Sequence, residues 1–248
     1  MSRKRKHPAH NVASELLYTY RWTFIVYWII FISIFLGIAV FMNTNMFNNE
    51  GFDSQSAWEG ASNSPKIFLM VIGILLTPLS LASFVSSGVT RKHFVIGGSF
   101  LVTLISAIFA LIMTAGYPIE QMIYEQNNWT PALKNPHIFS SSDQLAGIFF
   151  EHFFLFFAYF GSGWIIGSGF ARFRWQLGAI ISVASLLPAM AMEVVLSSDW
   201  MGRLMQNVFE VDRNPIAVVV VLAVIVMACI VGLNYLLLRR VAIKKRMV

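Results

Sequence analysis

Apolar positions along the chain gather into six long runs, near Trp22–Met42, Ile67–Phe84, Phe94–Ala115, Leu145–Gly169, Gln176–Leu196 and Ile216–Leu238. At 1.5 Å rise per residue each run can cover a hydrocarbon core of about 30 Å. The pattern therefore predicts an all-α membrane protein with six transmembrane helices. Ahead of the first run, Asn11–Arg21 puts Val12, Leu16, Leu17 and Tyr20 near one helical face. That stretch reads either as an amphipathic elbow helix lying in the membrane plane or as an early start of the first span. Two polar connectors also carry helical stripes: Tyr117–Gln126, which opens with Pro118, and Ser198–Glu210, with Trp200, Met201, Leu204, Met205, Val208 and Phe209. Both predict short amphipathic helices at the outer leaflet. Pro78 and Pro188 fall inside the second and fifth runs and predict kinks there. The chain thus divides into a basic tail with elbow (1–21), a six-span domain (22–238) and a second basic tail (239–248).

Composition supports this class, because 57% of the residues are hydrophobic and only 12% charged, where soluble domains carry about 25% charged residues. The net charge of +6 would suggest nucleic acid in a soluble protein. Here it reports topology instead, and no nucleic-acid partner is expected. The N-terminal tail, Arg91/Lys92, Arg172/Arg174 and Arg239, Arg240, Lys244, Lys245 and Arg246 all fall on one side of a six-span bundle. The other side collects Glu50, Asp53, Glu59, Glu120, Glu125, Asp143, Asp199, Glu210 and Asp212. Both termini are therefore expected in the cytoplasm, the first tail lying against an anionic leaflet rather than acting as a cleavable signal. The single cysteine, Cys229, lies within the last run, which excludes an intramolecular disulfide and a cysteine metal cluster. Asn128-Trp129-Thr130 matches a glycosylation acceptor, a triplet that also arises by chance.

Three ionisable side chains stand inside apolar runs: Glu151 and His152 in the fourth, Glu193 in the fifth. An acid at the bilayer centre costs at least about 2.5 kcal/mol, which makes such groups candidates for a substrate or proton path. Both acids sit only one to two turns from the outer surface, so a solvated outer vestibule is the favoured reading. His152 adjoins Glu151 and so points to another helix face, against a simple relay between them. Several enzyme classes are excluded. The run Gly161–Gly169 lacks the strand and lysine of a phosphate loop, a serine nucleophile there would have no base, and no HExxH spacing offers a metal site. Gly163 and Gly167, four apart, fit helix packing, as do Ser33/Gly37, Ser106/Ala110 and Ala228/Gly232.

The connector Val85–Phe94 (Val-Ser-Ser-Gly-Val-Thr-Arg-Lys-His-Phe) has a local structure of its own. Gly88 permits a sharp helix exit and Thr90 can cap a new helix starting Arg91-Lys92-His93-Phe94. The result is a small basic knob, suited to docking on a soluble partner, while the plainer reading is that Arg91 and Lys92 only mark the cytoplasmic side. With six spans, an amphipathic lead-in and Ser87-Gly88-Val89-Thr90-Arg91-Lys92-His93-Phe94 between the second and third, the chain resembles the permease subunit of type-2 ABC transporters. The resemblance implies that Gly88, Thr90, Arg91, Lys92, His93 and Phe94 form a coupling helix docking on a cytoplasmic ABC ATPase. It implies no cofactor on this chain, since ATP and Mg belong to that ATPase, and a second permease, identical or related. It implies an exporter in a bacterial plasma membrane, moving an amphipathic peptide or lipid-like molecule. The connector Ser197–Asn214 would match the family's outer helices, though it is barely long enough for two. Two other readings stand beside it: an ion-coupled carrier or channel using Glu151 and Glu193, and a non-transporting immunity or sensor protein.

Overall fold

The computed structural model describes residues 8–43, 57–126, 137–139, 144–198, 201–202, 204–205 and 215–241. Among these the chain is helical without strands, and six helical stretches are long and apolar enough to cross a membrane. The helices are α1 (Pro8–Asn43), α2 (Ala57–Ala61), α3 (Asn63–Ser86), α4 (Arg91–Gln126), α5 (Leu145–Arg172), α6 (Trp175–Ala184), α7 (Leu186–Leu196) and α8 (Ile216–Leu238). The N-terminal tail before residue 8, the Asn128–Thr130 triplet and the C-terminal tail after residue 241 lie outside the described residues, as does most of Ser198–Glu210.

The fourth span is the axis of the bundle. In its most apolar stretch α5 is 83% buried, against 17% for α1 and for α8. Helices α3, α4, α6, α7 and α8 all pack on α5, while α1 packs chiefly on α4. The aromatic wealth of α5 is accordingly mostly core: Phe154, Phe156, Phe157 and Phe160 are buried, while Phe150 and Phe170 are exposed. The α3–α5 seam explains the glycines. A Cβ on Gly163 would stand 2.0 Å from the Met70 carbonyl oxygen, one on Gly167 2.2 Å from that of Ile74, and one on Gly73 2.3 Å from that of Phe160. With lipid on the outside no hydrophobic force favours one helix pair over another, so backbone approach of this kind supplies the dispersion contact.

Three expected boundaries change. First, α1 runs without interruption through Arg21, because Ala9, Val12, Leu16, Tyr20, Phe24, Trp28 and Phe31 form one continuous buried stripe. The early start of the first span is what this helix shows, rather than a separate elbow. Second, the helix expected at Tyr117–Gln126 is the end of α4, which passes through Pro118 unbroken. There Gly116 accepts the flat indole of Trp58, whose Nε1 donates to the Met113 carbonyl at 2.8 Å. Third, the fifth span is divided at Ser185, three residues before Pro188. Proline has no N–H for the carbonyl of Ala184, so a break at this point is its direct consequence. Pro78, by contrast, stays inside an unbroken α3.

A polar network ties the interior. Trp164 Nε1 donates to Thr77 Oγ1 (2.9 Å), which contacts Ser168 Oγ (3.1 Å), and Ser168 donates to Asn234 Oδ1 (3.0 Å). Asn234 Nδ2 then reaches the Ile230 carbonyl at 3.1 Å and that of Gly161 at 3.4 Å. This network joins α3, α5 and α8 where water is absent and unpaired polar groups are costly.

Candidate functional site

The helix ends collect into a basic end, with Gly88, Arg172 and Arg239, and an acidic end, with Glu59, Glu120 and Glu151. At the basic end, α3 terminates in a Schellman motif. Gly88 takes φ +86°, its N–H bonds the Val85 carbonyl at 3.1 Å, and the Val89 N–H bonds that of Phe84 at 3.0 Å. Only glycine adopts that φ without steric cost, which is why the chain turns here. Thr90 then caps α4: its Oγ1 accepts the His93 N–H at 3.3 Å and lies 3.0 Å from His93 Nδ1. The exit at Gly88 and the cap at Thr90 thus stand where the sequence places them.

The face this turn presents is smaller than expected. Phe94 is fully buried, its ring 5.7 Å from that of Phe84, and so belongs to the core rather than to a docking surface. Arg91–Phe94 are the first turn of the 36-residue α4, not a separate short helix. Lys92 and Thr90 are exposed and Arg91 and His93 half-buried, leaving a shallow basic surface around the turn.

The acidic end departs further from expectation. Glu151 and Glu193 do stand near that end, in the second turn of α5 and the last turn of α7, yet neither is solvated, at 1% and 5% exposure. Glu151 Oε1 lies 2.6 Å from His137 Nδ1 and Oε2 accepts the Ile138 N–H at 2.7 Å. On its far side His137 Nε2 is 3.4 Å from Glu59 Oε1, an ion-pair distance. His137 is itself buried, stacked 4.4 Å from Phe139. Burial alone pushes its imidazole down, but the hydrogen bonds and charges of Glu151 and Glu59 outweigh this and raise it from 6.5 to about 9. Glu193 accepts from the Tyr159 hydroxyl on one oxygen and from the Met201 N–H at 3.2 Å on the other. Lys66, also buried, holds its ammonium 5.7 Å from the Tyr159 ring. Glu120 receives the Trp58 N–H at 2.8 Å.

A glutamate–histidine pair therefore exists, but its histidine is His137 and not His152. The latter is buried on another face, bonded to its own helix at the Ile148 carbonyl (2.8 Å) and edge-on to Phe156. Sequence reasoning passed over His137 and Lys66, and read Glu59 only as a marker of the acidic side. The usable signal was charge balance, since a carboxylate entering the bundle at Glu151 needs a cation and the acidic connectors hold few. Among the described residues no cluster of histidine, cysteine and carboxylate side chains is arranged to hold a metal.

These features define a multi-pass membrane protein with one basic turn and one acid-locked end. Comparison of the chain with family models, curated proteins and solved structures gives no match.

Proposed function

We propose that this chain is the permease subunit of an ATP-driven type-2 ABC exporter. It sits in a plasma membrane with the basic end in the cytoplasm and works with a separate ATPase and a second permease. The observation that carries this reading is the turn Ser87–Phe94, in which a left-handed glycine and a threonine cap set Arg91 and Lys92 in the first turn of α4, at one end of the bundle. The sequence has no nucleotide-binding motif, and in this reading the energy arrives from another protein through that surface. ATP-driven approach of two ATPases would move two such turns together and rock α3 and α4 against their partners. The outward face of α1 favours a second protein beside it. Arg21 is exposed there, its guanidinium 3.9 Å from the Tyr18 ring, one turn before Phe24, which packs on Phe109 midway along α4. A cation at that depth is costly against lipid.

The cargo in this reading is an amphipathic peptide or lipid-like molecule. The ion-coupled alternative has less support, because both oxygens of Glu151 and of Glu193 are engaged by local donors. The test is Arg91→Glu with Lys92→Glu, which leaves buried Phe94 in place. ATPase activity that co-purifies with the wild-type chain, and ATP-dependent transport in reconstituted vesicles, should both be lost. Undiminished ATPase recovery and transport in this variant would reject the assignment.

A further inference from the structure

At the basic end a cavity of about 660 Å³ opens between α3, the end of α5 and the residues after α8, lined among others by Pro78, Leu81, Ala82, Phe170, Arg172 and Arg174. Its chemistry is layered. Arg172 is the last residue of α5 and Arg174 the cap of α6, so both cations stand at the level where the spans end. Pro78 and Leu81 lie one to two turns inside α3, so the apolar wall extends from there into the membrane. Arg172 is held in place: its NH1 nitrogen donates to the carbonyls of Leu236 (2.7 Å) and Leu237 (3.3 Å), and its guanidinium lies 4.8 Å from the Phe173 ring. Arg174 is exposed, and the adjoining Trp175 is 74% exposed, as an interfacial indole would be.

We infer that this cavity seats one anionic phospholipid, its phosphate between Arg172 and Arg174 and an acyl chain along Leu81 and Phe170. The site is independent of the transport reading. Guanidinium groups recognise phosphate oxygens by paired N–H donors, and a basic pocket between spans is where a lipid headgroup is drawn in. A free phosphate would satisfy the cations alone and leave the apolar wall without a role, so the layering selects the lipid. Zwitterionic lipid carries its own ammonium, which the two arginines repel.

The experiment uses the full chain in neutral detergent, titrated with phosphatidylglycerol, phosphatidylcholine or inorganic phosphate. Bound lipid is counted by native mass spectrometry and the unfolding temperature is followed. Phosphatidylglycerol should bind and stabilise, with phosphatidylcholine and phosphate well behind. Arg174→Gln, an exposed change, should weaken phosphatidylglycerol about fivefold, the effect of one cation near a membrane surface. Ala82→Trp should weaken it at least as much by filling the cavity with both cations intact, while Lys92→Gln, outside the cavity, should leave it unchanged. Three results would overturn the site: equal binding of phosphatidylcholine, equal stabilisation by inorganic phosphate, or a Lys92→Gln loss matching that of Arg174→Gln.

Discussion

An imidazole set between two buried carboxylates is stable there when it carries a proton, and His137 is in that position between Glu59 and Glu151. Its folded value of about 9 lies above the 6.5 of the unfolded chain, so its proton stabilises the fold fully below pH 6.5, and that contribution is lost as pH rises through 9. The unfolding temperature of the purified protein should therefore fall across this interval, and His137→Gln should flatten the profile. The same variant leaves Glu151 buried without its cation, a loss of about 3–5 kcal/mol by analogy with other broken buried pairs. A profile of unchanged slope in His137→Gln would show that other groups set the pH response. From the sequence, Glu151 and Glu193 were visible as anomalies within apolar runs, and their nearness to one end followed from residue counting. Their burial did not follow, because it depends on Ile138 folding back over Glu151 and Met201 over Glu193, contacts that the spacing of apolar residues does not encode.

Among the elements, the α3–α5 seam sets the tolerance of the bundle. Gly163→Val places a methyl-bearing carbon where only 2.0 Å separates the site from the Met70 carbonyl, so α3 and α5 must part. The expected loss is about 3 kcal/mol or more, at the upper end for overpacking. Gly232→Val should be tolerated, since nothing lies within 4 Å of the added carbon. Chemical unfolding of the two variants side by side checks the contrast. Asn234→Leu removes the α8 end of the buried network and should cost on the order of 1 kcal/mol, as interhelical hydrogen bonds in membranes do. The four small-residue pairs looked alike in sequence, yet Gly163 and Gly167 meet another backbone closely while Gly37 and Gly232 face open space. Spacing tells which residues permit approach and not which helix approaches. Gly73, the seam's contribution from α3, belongs to no pair and was missed. The turn at Gly88 was fully legible for the opposite reason: its φ, its hydrogen bonds and the Thr90 cap are all satisfied within a few residues.

For the whole molecule, the segregation of charge orients the bundle. Of the described cations, Arg91, Lys92, Arg172, Arg174, Arg239 and Arg240 gather at the end opposite Glu59, Glu120 and Glu151, while Arg21 lies along α1 and buried Lys66 lies at the acidic end. By the positive-inside rule that end is expected in the cytoplasm, and both the proposed ATPase docking and the proposed lipid cavity would lie on it. The chain is suited to a direct measurement, because Cys229 is its only cysteine and lies in α8, where Cys229→Ala is a small change. On that background Lys92→Cys marks the basic end and Gln126→Cys, the exposed last residue of α4, marks the other. A membrane-impermeant maleimide applied to intact cells should label Gln126→Cys at once and Lys92→Cys only after the membrane is opened. Labelling of Lys92→Cys from outside would invert the bundle. An exporter powered by a cytoplasmic ATPase would then have no surface through which to receive the force, whatever the chemistry of the turn.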